Sequence, residues 1–288
     1  MEAVGYYNGT FGLPEEIKAP ILDRAFYFGD GCYDATYLVN NKILFLEDHL
    51  DRFYNSMRLL RINPPCDRQK MAEILYQVAD MYDGDTGFLY MQCSRGTGRR
   101  NHAFTPDMKS NLMIFLEPAS LTPPEKTFKV VTAEDKRFLY CNIKTLNLLP
   151  NVLEVTKAQE AGADELIFHR GNIVTEMGHS NVSMIVGDQY VIHPFDDKIL
   201  PGVAAKRHLC VLAESVGLTA VEREFSVTEL MNADEVIISS SGTLCNRIVS
   251  VDGIPVGGKA DPAFKALQKA AWDELKAYCG INELRMRL

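Results

Sequence analysis

The chain has 288 residues, 47% hydrophobic and 24% charged, the balance of a soluble globular protein with one large domain or two ordinary ones. A formal net charge of −8 without any long run of Lys or Arg argues against a nucleic-acid partner. The seven cysteines are scattered and include no Cys-x-x-Cys pair, so neither a disulfide framework nor a metal site is expected. The N-terminal stretch has no basic and apolar signal regions, and no apolar run is long enough to span a membrane. A cytoplasmic protein with no membrane partner is expected.

The elements follow in chain order. Val4–Tyr7, the Asn8-Gly9 turn and a second short run predict a hairpin. Asp34–Val39 and Lys42–Phe45, joined by Asn40-Asn41, predict another. The period then changes: Leu50, Phe53, Met57 and Leu60 recur at helical spacing and predict an amphipathic helix over Leu46–Ile62. A second helix is expected over Arg68–Met81, then strands at Phe88–Ser94 and Leu112–Leu116. The proline-rich stretch from Glu117 to Lys126 is the best linker candidate.

Beyond it the pattern predicts a strand at Phe128–Thr132 and a helix from Pro150 to Ala161. Short strands are expected at Glu165–Phe168, Ile173–Glu176, Ser183–Val186 and Tyr190–His193. Pro201-Gly202 opens a helix to about Val216, Glu235–Ser239 and Arg247–Val251 are strands, and Pro262–Tyr278 is a closing helix. Strands come in clusters with helices between them, which predicts two α+β domains with mixed sheets and flanking helices. The expected division is an N-terminal small domain over 1–117, a linker over 118–126 and a larger domain over 127–288.

Several residues could carry chemistry. Lys144 lies in an apolar and neutral stretch, Tyr-Cys-Asn-Ile-Lys-Thr-Leu-Asn-Leu-Leu-Pro. Most lysines are solvated surface groups, but a desolvated one becomes an amine nucleophile for a carbonyl. Glu176 ends a strand before Met-Gly-His-Ser180-Asn181; it is either a surface carboxylate or the acid that keeps a heterocyclic nitrogen protonated. Leu200-Pro-Gly-Val203-Ala204 feeds a helix start, where free N–H groups suit a phosphate. Ser239-Ser240-Ser241-Gly-Thr is a hydroxyl-rich turn of the same kind, and Arg52 offers a fixed charge or a solvated helix face. Arg95-Gly-Thr-Gly-Arg99-Arg100-Asn-His102 clusters guanidiniums that suit a carboxylate, or forms an exposed basic loop. Rossmann, Walker, His-Glu-x-x-His and Gly-x-Ser-x-Gly patterns are absent.

In order along the chain, Asp23-Arg24-Ala-Phe-Tyr-Phe-Gly-Asp-Gly31, His49-Leu-Asp-Arg52, Lys144-Thr-Leu-Asn-Leu-Leu-Pro150, Glu176–Asn181 and Ile199-Leu-Pro-Gly202 resemble the fold-type IV enzymes that use pyridoxal 5′-phosphate. That family contains D-amino acid transaminases, branched-chain aminotransferases, aminodeoxychorismate lyases and (R)-amine transaminases. The resemblance implies a two-domain α+β fold of the D-amino acid aminotransferase type and a homodimer. It implies that Lys144 holds the cofactor as a Schiff base and moves the substrate Cα proton. It further implies that Glu176 pairs with the pyridine nitrogen, with Ser180 and Asn181 beside the ring. Arg52, the backbone of Val203 and Ala204, and the Ser240-Ser241 turn would hold the phosphate.

Tyr33, Arg100 and His102 resemble the carboxylate trap of D-amino acid transaminases, and Arg99 beside Arg100 leaves that one assignment open. The implied reaction moves an amino group from a D-amino acid such as D-alanine to a 2-oxo acid by a ping-pong mechanism. The alternatives are a branched-chain L-amino acid aminotransferase, a pyruvate-releasing aminodeoxychorismate lyase and, last, a protein that only binds the cofactor. The Arg-Asn-His ending of the loop weighs against the lyase, whose pattern ends Arg-Gly-Tyr. Three positions depart from the family pattern: His179 and Gly242 stand where serine and threonine are common, and Ala204 replaces a hydroxyl residue.

Overall fold

A computed structural model describes residues 2–282, and the chain divides into two compact units. One unit holds the chain as far as Ser120, together with Ile143–Asn147 and the C-terminal end from Tyr278. The other holds Leu121–Asn142 and Leu148–Ala277.

The first unit opens with the hairpin β1 (Val4–Tyr7) and β2 (Thr10–Gly12), turned at Asn8-Gly9. A short helix α1 (Arg24–Phe28) follows, capped by the Asp23 carboxylate, which accepts from the Ala25 N–H. Next come β3 (Gly31–Val39) and β4 (Lys42–Ile43), α2 (Leu46–Leu59), α3 (Arg68–Asp80), β5 (Thr86–Ser94) and β6 (Asn111–Pro118). Asn40 and Asn41 both take left-handed φ values, 50° and 59°, as a tight hairpin turn between twisted strands demands. α2 stops at Leu59, short of Ile62, because Arg61 turns to φ 55° and breaks the helical path. The six strands run in the order β2-β1-β6-β5-β3-β4, each pair antiparallel. Leu50, Phe53 and Met57 of α2 and Met71, Leu75 and Val78 of α3 form one core with the apolar side chains of β5 and β6. Truncating such a residue to alanine costs about 2–5 kcal/mol.

Ile143–Asn147 adds to the end of β3. The Tyr33 N–H donates to the Lys144 carbonyl (2.9 Å), the Leu146 N–H donates to the Gly31 carbonyl (3.2 Å), and Cys32 forms an antiparallel bridge with Thr145. Backbone pairing, rather than a side chain, therefore fixes where Lys144 emerges.

The second unit contains β7 (Phe128–Glu134), α4 (Leu149–Glu160), β8 (Glu165–Arg170), β9 (Ile173–Met177), β10 (Asn181–Val186) and β11 (Gln189–Ile192). A π-helical segment, Val203–Leu209, runs into α5 (Cys210–Ser215). Then come β12 (Thr219–Glu222), α6 (Val227–Asn232), β13 (Glu235–Ser239), β14 (Asn246–Val251), β15 (Ile254–Pro255) and α7 (Asp261–Cys279), which belongs to this unit as far as Ala277. The main path of the sheet is β12-β11-β10-β13-β14-β7-β8-β9, with β15 pairing β14. Parallel pairs (β11–β12, β14–β7, β7–β8) mix with antiparallel ones. Val182 and Met184 of β10 and Val236 and Ile238 of β13 lie in one core with Phe225. Ile185 and Ile237 from the same strands lie in a second core with Leu209, Phe264 and Leu267. Both faces of these strands are covered, which is why they read as continuous apolar runs.

The architecture is α+β with flanking helices. Its departures from the periodic pattern are local. The helix after Gly202 is π-wound for its first seven residues and α-helical only from Cys210. α1, β12, α6 and β15, at two to six residues each, are too short to show a period. Among the described residues, no helix is long and apolar enough to cross a membrane.

Gly96 follows β5 with φ 120°, and a Cβ there would fall 1.9 Å from the Lys109 carbonyl oxygen. Replacing Gly96 with alanine should destabilise the first unit by about 2–4 kcal/mol, combining a disfavoured φ with overpacking. Urea unfolding followed by circular dichroism reads this directly, and an unchanged midpoint would refute the close approach.

Candidate functional site

Candidate site residues lie in both units. In the first, β3 alternates so that Cys32, Asp34, Thr36 and Leu38 face inward. Asp34 is fully buried, and a buried carboxylate needs charged partners. α2 supplies them. Arg52 Nε and Nη2 donate to the two Asp34 oxygens (2.8 and 2.7 Å), and His49 Nδ1 lies 2.8 Å from Oδ1. Burial alone would raise the Asp34 carboxyl, but the Arg52 guanidinium and the His49 ring hold it well below the usual carboxylate range. Burial pushes the His49 ring down, and the Arg52 and Lys144 charges add to that, so its neutral form is favoured.

The same helix reaches Lys144. Ser56, one turn beyond Arg52, accepts the Lys144 backbone N–H at 3.4 Å. Lys144 Nζ stands 4.3 Å from the centroid of the Tyr33 ring. Tyr33 in turn stacks on Tyr90, ring centroids 5.3 Å apart. Lys144, Tyr33 and Arg52 are thus brought together around the junction of β3 and α2. Arg100 and His102 pack elsewhere in the unit: both are exposed, and both gather on Phe28, at 5.2 and 5.0 Å from its ring centroid. Within one chain, therefore, Tyr33 on one side and Arg100 with His102 on the other have different packing partners.

In the second unit Glu176, at the end of β9, is buried, and both its oxygens are bonded. Arg137 Nη1 donates to its Oε1, and the Leu200 N–H donates to Oε2 at 3.1 Å. Arg137 is itself anchored. Its Nε and Nη2 donate to the two oxygens of Asp135 (2.9 and 2.8 Å), which also accepts from Arg170 and Thr175. Burial works against both charges. Even so, Arg137 and Arg170 hold the Asp135 carboxyl below its usual range, and Glu176 with Asp135 strengthens the hold of Arg137 on its proton.

Ser180, Asn181, Val203, Ala204, Ser240 and Ser241 come from three neighbouring segments. Asn181 pairs with Ser239 across β10 and β13, and its Nδ2 donates to the Leu200 carbonyl (3.2 Å). The Ser240 Oγ accepts the Thr243 N–H (3.1 Å) and closes the turn after β13. Gly202 presses against Asn181 so closely that a Cβ would fall 1.8 Å from Oδ1. Val203 and Ala204 are buried at the head of the helical segment, whose Lys206 N–H is bonded to the Gly202 carbonyl. N–H groups of a first turn have no intrahelical acceptor.

The departures also have places. His179 pairs with Glu165 at 2.7 Å, and the Gly242 carbonyl accepts the Thr122 N–H at 2.8 Å. Sequence patterns did not single out Asp34 or the Asp135–Arg137 pair. Asp34 was detectable as a charge on the apolar face of a strand; Asp135 and Arg137 stand in a charged run, Glu-Asp-Lys-Arg, with nothing to set them apart.

The first unit offers an amine beside an aromatic ring, and the second a fixed carboxylate and a glycine cradle opening onto first-turn N–H groups; each is a group type that suits a phosphate-bearing pyridine aldehyde. For a metal, the described residues offer one group, His193, Asp196 and Glu224, whose ligand atoms lie within 4.8 Å of one another. Lys198 Nζ stands 2.6 Å from Glu224 and 3.6 Å from Asp196, so the chain supplies its own cation there.

The family model of amino-transferase class IV matches residues 31–251. D-alanine aminotransferase of Staphylococcus aureus (strain MSSA476) is 35% identical over 270 residues, 92% of this chain and 95% of the relative. That of Listeria monocytogenes serotype 1/2a (strain 10403S) is 34% identical over 275 residues, covering 93% and 95%. Among solved structures, the branched-chain aminotransferase of the archaeon Thermoproteus uzoniensis with norvaline superposes with a TM-score of 0.86 at 16% identity, covering 97% of this chain and 96% of that one. The Escherichia coli branched-chain enzyme gives 0.84 at 19%, covering 96% of each chain. A further branched-chain aminotransferase, solved with pyridoxamine 5′-phosphate, gives 0.87 at 20%, covering 97% of this chain and 95% of that one. At these identities the structures establish the fold.

The Asp34 geometry sets a pH dependence. Its carboxyl is depressed on folding, so its stabilisation is complete above the unfolded value of about 3.8 and is lost as pH falls through the folded value. Asp34→Asn takes this counter-charge from the half-buried Arg52 and should cost about 3–5 kcal/mol at pH 7. The gap between wild type and variant should narrow as pH drops below about 4. Urea midpoints measured from pH 7 to pH 3 test this; a gap that is independent of pH counts against it.

Proposed function

The chain belongs to the class IV aminotransferases, a family of pyridoxal 5′-phosphate enzymes, and from that premise we propose that it transfers the amino group of a D-amino acid, D-alanine above all, to a 2-oxo acid. One observation carries the reading. The relatives that match nearly the whole chain at 34–35% identity are D-alanine aminotransferases, whereas the branched-chain enzymes share its fold at 16–20%.

When bound, the cofactor supplies an aldehyde that receives the amino group and an electron-withdrawing ring. The chain's own residues do the rest. Lys144 would hold the cofactor through Nζ and move the proton at the substrate Cα. Glu176, fixed by Arg137 and the Leu200 N–H, would keep the ring nitrogen protonated, with Ser180 and Asn181 beside it. Arg52, whose plane is set by Asp34, would hold the phosphate with the Val203 and Ala204 N–H groups and the Ser240-Ser241 turn. Tyr33, Arg100 and His102 would hold the substrate carboxylate, which fixes the face presented to Lys144.

The division into an N-terminal domain over 1–117, a linker over 118–126 and a cofactor-binding domain over 127–288 belongs to the same proposal. So does a homodimer: Leu149, Val152 and Leu153 form an exposed apolar stripe along α4, and Phe138, Leu139 and Tyr140 are exposed beside Arg137 in sequence. Seven free thiols support a cytoplasmic home.

Single-turnover absorbance of the holoenzyme, mixed separately with D-alanine and L-leucine without oxo acid, tests the donor. Conversion by D-alanine is expected; conversion by L-leucine alone would transfer the assignment to a branched-chain enzyme, and silence with both would favour the lyase or a binding protein. Lys144→Ala should lower kcat by about 10²–10⁴-fold or more, the range of a positioned acid–base group. Turnover kept near the wild-type level would remove Lys144 from the mechanism.

A further inference from the structure

We propose that Phe28, clamped by Arg24, is the platform that positions Arg100 and His102 for the substrate carboxylate, and so acts as a positioning residue for substrate binding. The inference rests on the proposed role of the 95–102 loop and adds what organises that loop.

The Asp23–Asp30 segment makes the platform. Arg24 is 4% exposed although it carries a charge, and each nitrogen of its head donates a hydrogen bond. Nε donates to Asp30 Oδ2 at 2.6 Å. Nη1 and Nη2 donate to the carbonyls of Asn101 (2.7 Å) and His102 (3.4 Å). The guanidinium fork thus holds the backbone of the loop, between a half-buried acid and the two residues that follow Arg100. The guanidinium carbon also lies 4.7 Å from the Phe28 ring centroid.

The base of the loop is pinned separately. Arg95 donates to Asp30 and to the carbonyls of Leu60 and Arg61, and its guanidinium carbon stands 3.7 Å from the Phe104 ring centroid. Tyr27 Oη donates to the Gly98 carbonyl at 2.6 Å. The backbone is therefore tied at Arg95, Gly98, Asn101 and His102, while the Arg100 and His102 side chains are exposed and share one ring, that of Phe28. Two long side chains that must meet one carboxylate lose rotamer freedom on binding. A half-buried aromatic ring that draws both, through cation–π and ring contact, removes part of that loss before substrate arrives. Asp30 serves both ends, since one carboxylate holds Arg24 at the tip and Arg95 at the base.

The test compares holoenzymes in the amine-donating half-reaction, using D-alanine and ethylamine, the same amine without its carboxylate. Phe28→Leu should raise KM for D-alanine about tenfold, leave kcat within about twofold and leave the ethylamine rate within about twofold, while Phe28→Tyr keeps the ring and restores KM. Equal losses on the two amines would assign Phe28 a general structural role and overturn the proposal, as would a wild-type KM for D-alanine in Phe28→Leu. Should Phe28→Leu fail to retain cofactor absorbance, Phe28→Met takes its place under the same criteria. Wild-type turnover is measured first. A wild type silent on D-alanine sinks the functional reading, and the comparison then runs on the amino acid it does use against the matching decarboxylated amine, where an unchanged KM overturns the present inference separately.

Discussion

The first unit depends on a carboxylate that has no access to water. Asp34 lies on the inward face of β3, where every other residue of that face is apolar or neutral. Taking such a charge out of water costs several kcal/mol, and the cost is offset only when the geometry of its partners is good. The partners here are two residues of α2 three positions apart, one a bidentate guanidinium and the other an imidazole. The angular position of α2 over the sheet follows from that bond set, because Arg52 cannot turn about the helix axis without losing one of its two contacts. Ser56, on the same face, then receives the backbone of the Lys144 segment. One buried acid thus fixes a strand against a helix, and backbone pairing with the same strand sets the lysine.

The second unit repeats the device with signs exchanged. Arg137 is the buried charge that must be compensated, and Asp135 and Glu176 are its partners. Asp135 is satisfied from several directions, by Arg137, Arg170 and Thr175, so it acts as the fixed point. Arg137 holds one Glu176 oxygen and the Leu200 N–H the other. A bond on each of the two oxygens sets the plane of the carboxylate and so the direction in which its charge points.

The legibility of the fold followed element length. α2 and α3 announced themselves through apolar residues at helical spacing, and the Asn40-Asn41 turn through residues that tolerate a left-handed backbone. α1 carried legible caps, Asp23 and Gly29, but five residues leave no room for a period. The π-wound start of the helix after Gly202 had no sequence mark, since Val203–Leu209 would serve equally as an α-helix. Of the candidate site, residues that stand in contiguous motifs were legible: Lys144, Glu176, Arg52 and the glycine turn. Arg137 and Asp34 were not singled out, because their importance lies in partners 39 and 18 positions distant. Pairing across such separations is a property of the folded chain.

Those two cases also explain why Arg24 escaped attention as a functional group while its motif stood out. Its head bonds Asp30, six positions on, and the backbone at 101 and 102, 77 and 78 positions on. Contacts to carbonyl oxygens ask nothing of the side chains at 101 and 102. Arg24 can therefore fix the path of the loop whatever residues the loop displays, and Phe28 is the point at which that path meets the chemistry of Arg100 and His102. A scaffold built this way separates two demands: the ion pairs hold the backbone, and the exposed Arg100 and His102 side chains on one aromatic ring are left for the proposed hold on the substrate carboxylate.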